Sequence, residues 1–511
     1  MSEFEARGVG GVLETGSLSR ETNWWGAFVI GLAGTVLIIT LVGYALVALG
    51  AFAVVLFAVI TAIGVFLCFC LAEMAATWPD RTGGLPSYAF ETFRPLGKRW
   101  GDHVGGLSSW SYWIGWFAVA PINAFVASVW IVDLFNIDFG GSFGPLNSHF
   151  GAVVPVDVFV VAVAIMLVMF VPCWLGIRLG AMFATILGIG TMIPLTLLVI
   201  LPFFSPSSID FGNLSGFGLP PGVTGSWQLI LSWAFIYTWS VLAMEAAACY
   251  IGECKEPARD AKIALTAEGL FGFFIYVSLP VMLFAVLGTA GMDTLAKANP
   301  GWIGDANILF QGYVDAIFGV NTFWTWFIGL ALIVALCLSV LNAVMGASRG
   351  LFQNAHDGIL PKAFGWKNKH SAPSFAMVFS LGCSIAVLCL GSPLQMYVIS
   401  NMGYLLALSI SLIGYGIFRS MRENVERPLR MPRAFGPSAL GIGIVGMLLW
   451  AVGGYYAADY VVGPGYRWLY WMGLIFVALY FPLNWWRKGE DRVSGQSAKV
   501  LKTAETGGGS D

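Results

Sequence analysis

Apolar residues run through this chain in blocks of about twenty rather than alternating with polar ones, and that is the length a helix needs to cross a bilayer core. Such runs begin near Trp25, Ala51, Leu107, Pro155, Leu179, Trp227, Ala264, Thr322, Ser374, Leu394, Leu440 and Trp468. Turn signals separate them, among them Pro79-Asp80-Arg81-Thr82-Gly83-Gly84, Pro220-Pro221-Gly222, Ala298-Asn299-Pro300-Gly301 and Gly463-Pro464-Gly465. The pattern predicts an all-α membrane protein of about twelve transmembrane helices. An even count brings both termini to one side. If the amino tail and every second loop are placed in the cytoplasm, that side collects every Lys and Arg except Lys297 and Arg467. This is the asymmetry expected of inner loops, and shifting the count by one helix destroys it.

Two runs are interrupted by small and hydroxyl residues at mid-depth: the first by Gly31-Leu32-Ala33-Gly34-Thr35, the sixth by Tyr237-Thr238-Trp239-Ser240-Val241-Leu242-Ala243-Met244-Glu245. Such residues permit local unwinding, because freed backbone groups find side chains or water. One interrupted helix in each half points to a transporter site built between inverted repeats. Segments one and six have the relation expected of two five-helix repeats followed by two accessory helices. The expected layout is a cytoplasmic tail over 1–22, a transport core over 23–420, accessory helices over 421–487 and a cytoplasmic tail over 488–511.

Composition agrees, with 58% hydrophobic and 11% charged residues, where a soluble domain carries about 25% charged. No polar segment is long enough for a separate domain, and a net charge of −2 gives no reason to expect nucleic acid. No cleavable signal peptide is expected: the first 22 residues are polar and the next run is too long for a signal core. The first helix is expected to direct insertion into the cell membrane. Eight cysteines without a CxxC pair read as structural thiols. Gly441-Ile442-Gly443-Ile444-Val445-Gly446 fits a dinucleotide fingerprint but lies in an apolar helix with no strand before it. Asn213-Leu214-Ser215 is a sequon in an outer loop, with no other sign of a secretory route. His103, His149, His356 and His370 fall in or beside loops without metal-ligand spacing, so neither metal nor cofactor is expected.

Three passages resemble the amino acid–polyamine–organocation transporter family. Ala72-Glu73-Met74, followed by Pro79, Gly83-Gly84 and Tyr88, is similar to its "AEL…P…GG…Y" passage. Glu245-Ala246, followed by Glu253-Cys254-Lys255-Glu256-Pro257-Ala258-Arg259, is similar to "E-A…E-x-K-x-P-x-R". Arg349 and Asp357-Gly358-Ile359-Leu360-Pro361 resemble its "R…D-G-x-L-P" loop. The resemblance covers residues 25–420. It implies secondary active transport of amino acids or related amines, and a fold of five plus five inverted repeats with helices one and six unwound around the substrate.

An amino acid brings a carboxylate and an ammonium into a medium that solvates neither. Half-helix amino ends suit the first and freed carbonyls the second. With the resemblance, that role falls to Ala33, Gly34 and Thr35 in helix one and to Trp239, Ser240 and Ala243 in helix six. The plainer alternative is that the glycines only allow close packing. Trp239 stands where several family members place an aromatic gate, and Ala243 where many have Gly. Glu73 and Glu245 are intramembrane carboxylates, a costly feature that usually marks function. Glu245 is expected to hold the broken sixth helix and to carry a proton, Glu73 to act as a gate at the inner end. Glu253, Lys255, Glu256, Arg259 and Asp260 read as an inner-face salt-bridge cluster or a solvated loop. Some proton-coupled relatives carry Lys midway along helix five, where this chain has Thr191. Thr191, Ser339 and Asn342 offer oxygens for sodium, although hydroxyls in helices often bond their own backbone. The expected function is a proton-coupled permease for an amino acid or small amine, with sodium coupling or exchange as alternatives. A polyamine or organic-cation transporter is the second reading. An intramembrane enzyme is disfavoured, because the apolar runs lack histidine at mid-depth.

Overall fold

The computed structural model describes residues 20–81, 83–143, 154–220, 223, 226–421 and 425–506. Arg7 and most of the amino tail, Thr82 of the first motif, His149, the Pro221-Gly222 turn, Arg422 and the last five residues lie outside the described residues, as do the side chains of Lys499 and Lys502.

Eleven helices are long and apolar enough to cross a membrane, and a shorter apolar one completes a set of twelve among the described residues. In chain order they are α1 Trp24–Leu49, α2 Phe52–Thr77, α3 Arg99–Phe135, α4 Val156–Trp174, α5 Ile177–Phe204, α6 Trp227–Glu253, α7 Pro257–Ala298, α8 Thr322–His356, α9 Ser374–Leu388 (the short one), α10 Pro393–Met421, α11 Phe435–Val462 and α12 Trp468–Gly495. The protein is an all-α, multi-pass membrane protein, and each helix begins within about eight residues of an apolar run read from the sequence. Among the described residues its β structure is one two-residue antiparallel pair, Ser142–Phe143 with Val154–Pro155, and one isolated parallel bridge between Thr22 and Cys254. His103 lies in the early turns of α3 and His356 ends α8, so these two belong to helices rather than loops.

Burial sorts the helices. The apolar windows of α1, α6 and α10 are buried over 89%, 83% and 89% of their residues, those of α11 and α12 over 17% and 28%. The first three therefore form the interior, while the last two turn apolar surface to lipid. Short helices lie beside the bundle after α2 (Leu85–Phe93) and after α7 (Ala306–Phe318).

The interruptions have local causes. In α3 the helix breaks at Ala118, three residues before Pro121. A proline has no N–H for the carbonyl four residues earlier, and Ser384 of α9 donates its hydroxyl to that freed Phe117 carbonyl at 2.9 Å. In α7, Gly288 takes φ 55° and ψ −172° with the Asn213 side chain against its Cα, a kink that a Cβ would not fit.

Candidate functional site

α1 is divided at Leu32 and Leu37 into Trp24–Gly31, Ala33–Val36 and Ile38–Leu49. The backbone at both junctions stays right-handed, with φ/ψ of −50°/−23° and −60°/−16°. Thr35 N–H reaches back only three residues, to Leu32 O at 2.9 Å. The expected unwinding is thus a local tightening, not an extended stretch. α6 changes in a similar way, from α-helix over Ser226–Val241 to a 3₁₀-helix over Leu242–Glu253. A 3₁₀ run of this length is uncommon, and such mid-helix stretches often mark hinges.

The two changes face each other. A Cβ on Gly34 would lie 2.0 Å from Ala243 O and 2.5 Å from Ala243 C, so only glycine lets the helices approach this closely. The same occurs one turn earlier, where a Cβ on Gly31 would lie 2.6 Å from Ala247 N and 2.6 Å from Glu268 Oε1.

Hydroxyls from three other helices reach carbonyls of α1. Ser339 of α8 donates to Ala33 O at 3.0 Å. Tyr276 of α7 lies 2.9 Å from Gly34 O and 2.8 Å from Ser240 O, spanning α1 and α6. Its oxygen is also 3.0 Å from the Ser240 hydroxyl. Tyr397 of α10 donates to Thr40 O at 2.7 Å. Among the described residues, the Thr35 hydroxyl is buried without a partner, and so is the Asn342 Nδ2. Asn342 otherwise accepts from the Tyr250 hydroxyl of α6.

Trp239 is buried at the same level. Its indole N–H donates at 3.1 Å to Gly115 O, a carbonyl just before the break in α3, and its ring lies 4.8 Å from that of Tyr397. Thr191 donates to Leu187 O of its own helix at 2.7 Å. Gly188, one turn before it, packs against Val29 and Leu32 of α1.

Three buried carboxylates occupy different places. Glu245 accepts from Tyr112 of α3 at 3.0 Å and from Tyr404 of α10 at 2.7 Å. Glu73 sits at the end of α2, paired with Arg419 at 2.8 Å and Arg427 at 3.2 Å, and accepts from Tyr415 at 2.6 Å and from Met431 N–H at 3.0 Å. Glu73 therefore belongs to a clamp between α2, α10 and the segment after α10. Glu268 of α7 accepts from Ala247 N–H at 2.9 Å, while its other oxygen is buried without a partner among the described residues. The sequence reading missed it. An acid four residues into an apolar run was the available signal, but its nearness to the charged 253–260 passage hid it. Buried Tyr112, Tyr276, Tyr397 and Tyr404 were missed as well, since nothing in an apolar run marks which tyrosine will find a broken helix.

One end of the core is sealed by ion pairs. Arg349 of α8 pairs with Glu253, at 3% and 2% exposure, and its guanidinium lies over the Tyr250 ring at 5.4 Å. Thr22 bonds Glu253 O and Lys255 N–H, tying the start of α1 to the link after α6. Arg81 bonds Asp357 at 2.7 Å and pairs with Glu91. Burial raises the Asp357 carboxyl above its usual range, against the opposing pull of Arg81 and Arg94. Of the other charges in the 253–260 passage, Arg259 and Glu256 form an exposed pair at 3.0 Å.

Comparison with known proteins agrees with this architecture. A family described as amino acid permease matches residues 23–482. The chain is 24% identical over 283 residues to the uncharacterized amino acid permease YvbW of Bacillus subtilis, covering 50% of this chain and 55% of that protein. It is 23% identical over 395 residues to an uncharacterized transporter of Legionella pneumophila, covering 74% of this chain and 76% of that protein. The chain thus spans about half the length of the first relative and three quarters of the second.

Proposed function

The chain belongs to the amino acid permease family, and from that premise we propose that it is a secondary active transporter moving an amino acid or small amine across the cell membrane by alternating access, coupled to protons. The observation that carries this reading is the meeting of two helix distortions, Gly34 of α1 against Ala243 of α6, with the carbonyls of Ala33 and Gly34 at the distortion met by hydroxyls of α8 and α7. Hydroxyls can rotate away and give those carbonyls to a substrate ammonium at little cost, which a carbonyl locked in a regular helix cannot do. In this reading Ala33, Gly34, Thr35, Trp239, Ser240 and Ala243 surround the substrate. Ser339, Asn342 and Thr191 position the backbone around it.

The coupling proton is assigned to a buried carboxylate beside the junction. Glu245 lies on α6 and Glu268 of α7 reaches it, and neither has a cation partner among the described residues. The ion pairs of Arg349 and Arg81 form the inner gate, with Glu73 anchoring its flank and both termini in the cytoplasm. The short helices after α2 and after α7 hold equivalent places in two five-helix halves, which supports the inverted repeat over 23–420 with α11 and α12 as accessories. One observation supports the second reading, a polyamine or organic cation: Glu268 adds a carboxylate at the junction for a substrate cation to meet.

Uptake into proteoliposomes of a labelled panel of amino acids, polyamines and quaternary amines tests the reading. Saturable uptake of a zwitterionic amino acid supports it, uptake confined to polyamines moves the substrate to the second reading, and no uptake or exchange of any member overturns it.

A further inference from the structure

We propose that the pocket at the basic ends of α10 and α11 binds the headgroup of an anionic phospholipid. The pocket has a volume of about 790 Å³ and is lined by Arg419, Arg427, Arg430 and Arg433, with Ser420 on one wall and Leu440 on another. Among the described residues, Arg419 and Arg427 pair with the Glu73 carboxylate. Those two are thereby fixed in place, Arg419 further by Met431 O and Pro432 O at 2.9 and 3.0 Å. Arg427 is 6% exposed, lies over the Phe418 ring at 5.2 Å, and keeps a buried Nε without an acceptor among the described residues. Arg430 and Arg433 are exposed and form no ion pair among the described residues.

Such a cluster is a ready receptor for phosphate oxygens, because guanidinium forks bind them in pairs. What selects a lipid is the wall that continues outward. Leu440 lines the pocket and begins an exposed apolar stripe on α11, followed by Ile444, Val445 and Leu448. Leu440, Ile444 and Leu448 stand at i, i+4 and i+8, and Val445 three before Leu448, so they form one continuous stripe, and α11 is the least buried of the long spans. A ligand with phosphate in the pocket and acyl chains along the stripe satisfies both surfaces. The arginine excess repels a choline or ethanolamine ammonium, so a headgroup with net negative charge is preferred. Basic pockets between spans on the cytoplasmic side are suited to such lipids.

The test uses the full chain in phosphatidylcholine mixed micelles, titrated with phosphatidylglycerol and read by native mass spectrometry. A basic residue at an anionic surface is worth about fivefold in binding, so two unpaired arginines give about 25-fold preference for phosphatidylglycerol over phosphatidylcholine. The exposed double variant Arg430→Gln/Arg433→Gln is expected to lose that preference, while Lys255→Gln/Lys262→Gln, exposed elsewhere on the same face, keeps it. Equal loss in both variants means diffuse surface charge and overturns the site. Inorganic phosphate is titrated in a parallel arm: if it displaces phosphatidylglycerol at comparable concentration, the pocket is a free-anion site and the lipid proposal fails.

Discussion

Replacing Gly34 by Ala adds one methyl where the structure has no room for it. The new Cβ would lie 2.0 Å from Ala243 O, 2.5 Å from Ala243 C and 3.0 Å from Met244 N, all backbone atoms of α6. Ordinary contact begins at 3.4 Å, so one helix must move by more than an ångström, or the 3₁₀ segment must rotate. Overpacking of this kind costs about 1–3 kcal/mol, a factor of about 5–150 in the population of the closed junction. Initial uptake should fall within that range, and the melting point of the purified protein should fall with it. Tryptophan fluorescence on heating and uptake into proteoliposomes give the two readings. Gly382→Ala in α9 is the control, since its Cβ meets nothing within 4 Å. Gly34→Leu would collide with α6 in the same way, so it should lower stability as well as transport. If Gly34→Ala matches the parent protein in both melting point and uptake, the reasoning from close approach is refuted.

Trp239→Ala should impair transport more than Trp450→Ala, even though both indoles donate to a backbone carbonyl, at 3.1 and 2.7 Å. Trp239 is the fully buried one at the junction, where truncation costs about 3–5 kcal/mol, and equal losses in uptake assays would count for mere packing. Glu268→Gln keeps the size and an acceptor for Ala247 N–H but cannot release a proton. Exchange should survive while accumulation driven by a pH gradient is lost, and full accumulation in this variant would clear Glu268 of coupling. Arg349→Gln leaves Glu253 buried and unpaired at a cost of about 3–5 kcal/mol. Labelling of buried Cys254, read by peptide mass spectrometry, should then rise sharply, and unchanged labelling would mean that the pair does not hold the seal.

The helices were legible because each needs one long apolar run, and that signal survives any packing arrangement. Even the short α9 was found from its composition, although it has only 15 residues. The interruptions were legible as glycine and hydroxyl clusters, but their geometry was not. Nothing in Gly31-Leu32-Ala33-Gly34-Thr35 says whether the chain will extend or tighten, since Tyr276 and Ser339, from two distant helices, are what the carbonyls of Gly34 and Ala33 meet. The acids show the same limit. Glu73 reads from sequence as a lone intramembrane charge, yet Arg419 and Arg427, more than 340 residues later, pair with it. Glu268 sits just past a charged loop, and only packing against Gly31 and Ala247 reveals its depth.

Accumulation of a labelled amino acid in proteoliposomes, under an imposed inward pH gradient with sodium absent, tests the account most directly. The account predicts accumulation above equilibrium that collapses when the gradient is dissipated and is reduced in Gly34→Ala. Accumulation that requires sodium and ignores the pH gradient would contradict proton coupling, and uptake untouched by Gly34→Ala would remove the junction of α1 and α6 from the transport path.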